Sequence, residues 1–264
     1  MLLLISSLLL MSCGADKYMK KGEKFLALGE YYDAADQFKQ AYTRTPAKER
    51  DTRGKRALKM AQCYQRINAT PKAIAAYRNA IRYNQASKED QLAYARQLLK
   101  NGDYRQAEKV FLMLKDSMPG NQLVANGLKS AQMAPEWKKQ GSRYIVKRMD
   151  VFNSRRHDYS PVLFGDDYDQ LYFTSTRNEA LGDELSGITG TKAGDIFLSE
   201  KDDRGKWSKP EAIGTGLNTD YDEGACCFTP DGREMYLTQC VTDPSSPRYA
   251  QIATSPRSDA AWGK

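Results

Sequence analysis

Histidine is almost missing: His157 is the single one in 264 residues. One imidazole cannot supply a two-histidine metal site, and no cysteine–histidine spacing fits zinc. His157 stands in the run Arg155-Arg156-His157-Asp158-Tyr159, which reads as loop. No Gly-x-Ser-x-Gly elbow, phosphate-cradling loop or His-Glu-x-x-His pair occurs either. These absences leave no catalytic residue, no metal and no cofactor to name, and a non-enzyme is expected. No RNP-type aromatic pattern accompanies the basic residues, so nucleic acid is not expected as a partner. Long apolar runs are also missing. The longest opens the chain over residues 1–12 and is too short to cross a bilayer as a helix.

What is present is ordinary for globular protein: 41% apolar and 28% charged residues over a length that favours about two domains. The net charge of +7 hides an asymmetry. Residues 13–140 carry 25 Lys+Arg against 13 Asp+Glu, a net +12, and residues 141–264 carry 15 against 20, a net −5. A basic field of that kind draws anionic partners, or is simply a solvated basic surface.

Residues 22–119 contain one pattern three times. The first copy reads Gly22, Phe25, Gly29, Tyr31, Ala34, Phe38, Ala41, Pro46, and the second Ala61, Tyr64, Asn68, Thr70, Ala73, Tyr77, Ala80, Gln85. The third reads Ala95, Leu98, Gly102, Tyr104, Ala107, Phe111, Leu114, Pro119. The copies are offset by 39 and then 34 residues, the extra five falling in the polar link over residues 47–55. Each copy predicts two helices joined by a tight turn, with glycine where a helix must end in positive φ. Small residues sit where paired helices approach, and aromatics fill the layer between them. One such pair cannot bury its apolar face alone, so the copies stack. The pattern resembles the tetratricopeptide repeat (TPR), strongly in copies one and three. Copy two departs at its turn (Asn68, Thr70) and lacks the closing proline. The aromatic stripe recurs at helical spacing and reads as core rather than as a ligand box. Residues 121–132 predict one more helix, capped by Asn121, closing the stack and ended by Pro135.

The opening run is the apolar segment of a secretory signal followed by Leu10-Met11-Ser12-Cys13-Gly14. That stretch resembles the bacterial lipobox. The resemblance implies cleavage before Cys13 and acylation of Cys13, a firm membrane anchor. No Lys or Arg precedes the apolar run, so a start further upstream is expected. Gly14, not aspartate, follows the cysteine, which in such lipoproteins implies the outer membrane. The absence of an acidic run after Cys13 favours the leaflet facing the periplasm.

From about Tyr144 the period switches from 3.6 to 2. Residues 145–149 alternate, and Leu171-Tyr172-Phe173-Thr174-Ser175 is aromatic and β-branched. Thr229-Pro230-Asp231-Gly232-Arg233 predicts a hairpin turn between two strands. This half echoes itself. Ser160-Pro161 matches Thr229-Pro230, Tyr172 matches Tyr236, Asp195-Ile196-Phe197 matches Gln251-Ile252-Ala253, and Gly205-Lys206-Trp207 matches Ala260-Ala261-Trp262. Asn218-Thr219-Asp220-Tyr221-Asp222-Glu223 stands between the copies. The combination resembles the WD40-like Pro-Asp β-propeller repeat, in which Asp222 and Glu223 are implied to hydrogen-bond between blades. Asp166, Asp167 and Asp169 occupy the hairpin turn of the first copy rather than a calcium loop. The Gly/Thr/Asp-rich stretch 179–194 is either a partner-binding loop or an insertion. Propellers need four or more blades and about two are present, so a chain continuing past Lys264 is expected. With Thr229 opposite Glu234, Cys240 falls opposite Glu223, ~10 Å along the strand from Cys226, too far for a disulfide. Cys240 remains open to pairing elsewhere, and Cys63 is expected to be buried on its repeat helix.

The expected fold is therefore α plus β and multidomain: a signal peptide (1–12), a TPR solenoid of three repeats plus a capping helix (13–140), and an incomplete WD40-like propeller (141–264). That order of modules resembles the PorE-like outer-membrane lipoproteins of the type IX secretion and gliding apparatus, which belong with OmpA-family components. The resemblance implies a lipid-anchored scaffold that binds protein partners, with any peptidoglycan binding in domains not in this sequence. TPR grooves are lined by the first helix of each copy. By position these are Lys55, Gln62 and Arg66 in copy two and Arg96 and Lys100 in copy three, and their basic character predicts acidic partner faces. Two other readings are a hydrolase supported by a propeller, whose catalytic domain would lie downstream, and a TPR nutrient-uptake lipoprotein.

Overall fold

The computed structural model describes residues 2–182, 185–214, 216–241, 246–247, 249–258 and 261–263, with side chains from Gly14 onward apart from Val241. The chain divides into two compact units, Met1–Ile145 with Gly187–Thr189, and Val146–Ser186 with Gly190–Lys264.

The first unit is a TPR-like array of seven helices: α1 (Leu2–Ala27), α2 (Tyr31–Arg44), α3 (Arg50–Arg66), α4 (Thr70–Arg82), α5 (Lys88–Lys100), α6 (Tyr104–Ser117) and α7 (Gln122–Gln140). The three sequence copies are the hairpins α1–α2, α3–α4 and α5–α6. Their turns share one geometry. Glu30, Ala69 and Asp103 each donate a backbone N–H to the carbonyl five residues back, at Phe25, Tyr64 and Leu98, all at 2.9 Å. The residue before each donor has positive φ: Gly29 at 78°, Asn68 at 57° and Gly102 at 83°. Asn68, the departure in copy two, thus fills the glycine position, because asparagine tolerates the left-handed region better than other side chains. The apolar positions of the repeat converge on one continuous core with Phe38, Tyr77, Leu98 and Phe111 fully buried. Its layers are close. A Cβ on Gly22 would stand 2.6 Å from the Phe38 ring, and one on Gly127 would overlap Phe111.

Helix α7 closes the stack. Asn121 Oδ1 accepts the N–H groups of Leu123 and Val124, at 3.0 and 3.2 Å. Pro135 does not end this helix, which runs on to Gln140. Proline there removes one N–H and crowds the turn before it, but the last two turns are largely exposed and solvent meets the freed carbonyl. The expected strand at 145–149 is also absent. Residues 141–157 form no strand, and Ile145 and Val146 are 86% and 92% exposed. Alternation alone does not make a strand where no neighbouring edge takes its hydrogen bonds.

The second unit holds two antiparallel four-stranded sheets, each a simple meander: β1 (Asp158–Phe164), β2 (Gln170–Ser175), β3 (Asp195–Glu200) and β4 (Glu211–Ala212), then β5 (Glu223–Phe228), β6 (Glu234–Val241), β7 (Tyr249–Ser258) and β8 (Ala261–Trp262). One apolar cluster joins them, with Tyr172 and Ile196 from the first sheet against Cys226, Met235 and Leu237 from the second. Both sheets open with the same bulge. Pairing slips by one residue between Tyr159 and Val162, and again between Gly224 and Cys227. The extra residues, Ser160 and Ala225, have φ of 51° and 49°.

The bulge corrects two sequence expectations. Thr229 does face Glu234, its N–H reaching the Glu234 carbonyl at 2.9 Å. Beyond the bulge, however, Glu223 pairs with Gln239, and Cys240 bonds to the Asp222 carbonyl, one position further along. Cys63, Cys226, Cys227 and Cys240 are all free thiols, and Cys63 is buried. Ser160-Pro161 is not a counterpart of Thr229-Pro230. It lies within β1 at the bulge, matching Ala225-Cys226, while residues 165–169 form the first hairpin turn.

Candidate functional site

The first helices of the second and third hairpins carry an exposed polar row. Lys55, Lys59, Gln62 and Arg66 follow one another along α3 at helical spacing, and Arg96 and Lys100 lie one turn apart on α5. Lys55, Gln62, Arg66, Arg96 and Lys100 are all exposed. Cross-links show that this row bridges consecutive first helices. Lys59 Nζ is 3.3 Å from Glu23 of α1, and Gln62 Nε2 donates to Asp90 of α5 at 3.1 Å. Lys100 Nζ donates to Asn68 Oδ1 at 2.6 Å, and the Arg66 guanidinium lies 5.7 Å from the Tyr31 ring centre. The structure thus brings the five residues onto neighbouring helices and adds three that the repeat pattern did not single out. Lys59 was legible from its i, i+4 spacing to Lys55. Glu23 and Asp90 were not, because the pairing of acid with base across helices depends on the stack. The row is therefore mixed, with two carboxylates set among cations.

A second polar constellation lies in the β unit. Asn218 reaches into the first sheet: its Oδ1 accepts the Ile196 N–H at 2.9 Å, and its Nδ2 donates to the carbonyls of Ile196 and Ile213. Asp222 accepts the Gly194 N–H at 2.7 Å. Glu223 accepts the N–H and hydroxyl of Thr219 at 2.8 and 2.6 Å and the Gln239 amide at 3.2 Å. Burial pushes the Asp222 and Glu223 carboxyls up despite those bonds. Asp222 thus ties the linker to the residue before β3, and Glu223 ties the linker to its own sheet.

The same linker recurs before the first sheet, where sequence reading missed it. Asn153, Ser154 and Asp158 match Asn218, Thr219 and Glu223. Asp158 accepts the Ser154 N–H at 2.6 Å, the Ser175 hydroxyl at 2.7 Å and the Arg177 guanidinium at 2.9 Å. Burial opposes its charge, but these donors outweigh it and hold the carboxyl below the usual range. The Arg177 cation is itself buried, 4.7 Å from the Phe197 ring centre and 5.1 Å from that of Phe173. The signal was present as Asn-Ser four residues before an acid, diluted by Arg155-Arg156-His157.

His157 stands in an exposed loop, its backbone N–H donating to Thr176. Among the described residues no group of three His, Cys, Asp or Glu side chains could hold a metal. Also among them, no helix is long and apolar enough to cross a membrane. The side chain of Cys13 lies outside the described residues, though its backbone continues α1.

No family model and no curated protein matches this chain. Solved structures that resemble it are TPR domains. The C-terminal TPR-containing domain of a putative FK506-binding protein from Plasmodium falciparum is 15% identical, with 50% of this chain covering 94% of that one at a TM-score of 0.42. The first TPR of Spaghetti (RPAP3), bound to the HSP90 peptide SRMEEVD, is 18% identical, with 47% and 95% covered at 0.39. The Sgt2 TPR domain from Aspergillus fumigatus is 18% identical, with 53% and 91% covered at 0.38.

Proposed function

We propose that the chain is a non-enzymatic interaction scaffold whose helical unit holds an acidic segment of a protein partner. The observation that carries this reading is the row of exposed cations on successive first helices, α3 and α5, ending in Arg66, Arg96 and Lys100. Opposite charge steers and orients a partner more than it adds affinity. Glu23 and Asp90, set within the row, fix which positions of an acidic segment are accepted. The test is fluorescence anisotropy with a labelled decapeptide of alternating Asp and Glu, at 50 and 300 mM salt. The triple variant Arg66→Glu, Arg96→Glu, Lys100→Glu is expected to lose tenfold or more in affinity while keeping its helical circular dichroism. Unchanged affinity with unchanged helicity rejects the groove.

The finer assignment is a lipid-anchored scaffold on the periplasmic side of the outer membrane, within a type IX secretion or gliding apparatus. It rests on Leu10-Met11-Ser12-Cys13-Gly14 and on the order of helical repeat before propeller-like sheets. Expression in a Gram-negative host with labelled palmitate checks the anchor. Label in the wild type and none in Cys13→Ala is the expected result, and label surviving in Cys13→Ala removes Cys13 from the assignment.

A further inference from the structure

The two sheets repeat one another strand for strand, and the junction between them is head-to-tail. In the registers, Thr174 pairs with Ile196 as Thr238 pairs with Ile252, and Phe173 pairs with Phe197 as Leu237 pairs with Ala253. At the junction the first sheet presents Val162, Tyr172 and Ile196, and the second presents Cys226, Met235 and Leu237. These two sets are not equivalent positions. The second sheet's counterparts of Val162, Tyr172 and Ile196 are Cys227, Tyr236 and Ile252, on its opposite face, and all three are exposed, Ile252 to 79%. The first sheet's counterparts of Cys226, Met235 and Leu237 are Pro161, Leu171 and Phe173. They line a groove of about 210 Å³, Phe173 buried at its base, that Met149 and Phe152 complete on its apolar side and Lys147 and Asp158 on its polar side. Each sheet thus has one face of each kind. The junction uses one of each, and one of each is left over.

The linker tells the same story. Asn218 clamps β3 of the first sheet at Ile196. Its counterpart Asn153 is exposed. Its Oδ1 meets the Met149 N–H at 3.3 Å, and its Nδ2 has no partner among the described residues. On the other sheet, β8 pairs only with Arg257 and Ser258, so among the described residues no strand flanks β7 on that edge at Ile252.

We propose that this chain associates head-to-tail with a second copy of itself: the Tyr236 and Ile252 face of one copy covers the Pro161, Leu163 and Leu171 side of the next, above the buried Phe173, with Asn153 clamping β7 at Ile252 as Asn218 clamps β3. A second copy fits because the exposed Tyr236 and Ile252 face and the groove at Pro161 and Leu171, with Phe173 already buried at its floor, match the two halves of the junction the chain already makes. A heterologous contact of this kind closes into a ring or grows as an open chain, depending on the rotation per step.

The test uses the full chain and sedimentation velocity over a hundredfold range of concentration. The wild type is expected to rise with concentration from the 29.8 kDa monomer to at least twice that mass. Ile252→Asp removes one face, and Leu163→Asp, at the residue paired with Leu171, removes the other. Both positions are exposed, Leu163 to 48%, so both variants should keep the native circular dichroism. Each variant alone should remain monomeric, and the equimolar mixture should form a one-to-one dimer, because each keeps the face the other lacks. A wild type that stays at one mass throughout overturns the proposal and leaves the faces to some other sheet. So does association that survives both substitutions, as contact through the apolar leader would, and so does a mixture of the variants that stays monomeric.

Discussion

Asn68 keeps the conformation of a glycine position with a different side chain. Sequence pattern marked it as a departure, since two of three copies carry glycine there. The backbone makes it the same left-handed position, at φ 57°, with the same bond from the next residue to the carbonyl at Tyr64. A β-branched side chain at that φ is costly, so Asn68→Val should lower stability by about 1–2 kcal/mol, while Asn68→Gly should stay within about 0.5 kcal/mol of wild type. Urea midpoints at a fixed slope decide between these outcomes. Asp195 was not legible at all, because nothing in Asp195-Ile196-Phe197 announces a buried charge. Its side chain is fully buried, Oδ2 accepts the Leu181 N–H at 2.7 Å, and Oδ1 has no partner. Burial, with Glu223 and Asp222 nearby, pushes its carboxyl from an ordinary 3.8 to about 6, against the pull of the Leu181 bond and Lys192. A carboxyl raised in the folded state takes up a proton on folding between those two values. Its contribution is therefore full below about pH 4 and is lost as pH rises through about 6. Asp195→Asn should remove that dependence and raise stability at pH 7.5, by an amount on the order of 2 kcal/mol. Urea titrations of both proteins at pH 5 and 7.5 check it, and equal slopes against pH exclude the effect.

At the level of elements, the hairpins of helices were legible because small, aromatic and turn residues each have one job at a fixed spacing. The strands were legible in kind and misplaced in register. Their bulges sit at Ser160 and Ala225, neither of which is a glycine, so no residue type betrayed the extra position. Pro161 compounded the error by imitating the proline of the real turn at Thr229-Pro230. At such a position the left-handed conformation costs a side-chain-bearing residue about 1–2 kcal/mol that glycine does not pay. Ala225→Gly should therefore stabilise the β unit by roughly 1 kcal/mol, keeping the Ala225 N–H bond to Thr174 Oγ1 at 2.9 Å. A fall in the thermal midpoint would mean the bulge is not the conformation in solution. Helix α7 carries a parallel lesson. Pro135 was read as a stop, but a proline near an exposed helix end bends the accounting by one hydrogen bond rather than ending the helix. Pro135→Ala should increase helical ellipticity and stability modestly, by about 1–3 kcal/mol at most.

For the molecule as a whole, the division into a helical and a β unit was written in the change of hydrophobic period, and the repeat of the helical unit fixed its core. The row of charges on α3 and α5 was legible only in part. The cations follow from counting along α3 and α5, whereas the acids among them follow from which helices stack. That mixture sets the salt response. If the row captures acidic segments through its cations, raising salt from 50 to 300 mM should weaken the labelled acidic peptide several-fold in the wild type and scarcely at all in the triple charge-reversal variant, since screening acts on exposed pairs. Salt-independent binding would point instead to the aromatic and aliphatic surface.

The junction between the sheets also bears on how such a chain changes over generations. A pair of sheets meeting through identical faces is finished when it forms, and an extra unit has nowhere to go. Here the two faces that meet are different, and each has its counterpart at matching positions on the other sheet; Tyr172 and Tyr236, at matching places, stand 64 residues apart. A tandem duplication of one such stretch of gene would set the new sheet against the old at the same positions, with different side chains at several of them. Length in this half of the molecule thus varies in whole steps, with those side chains left for selection to refit.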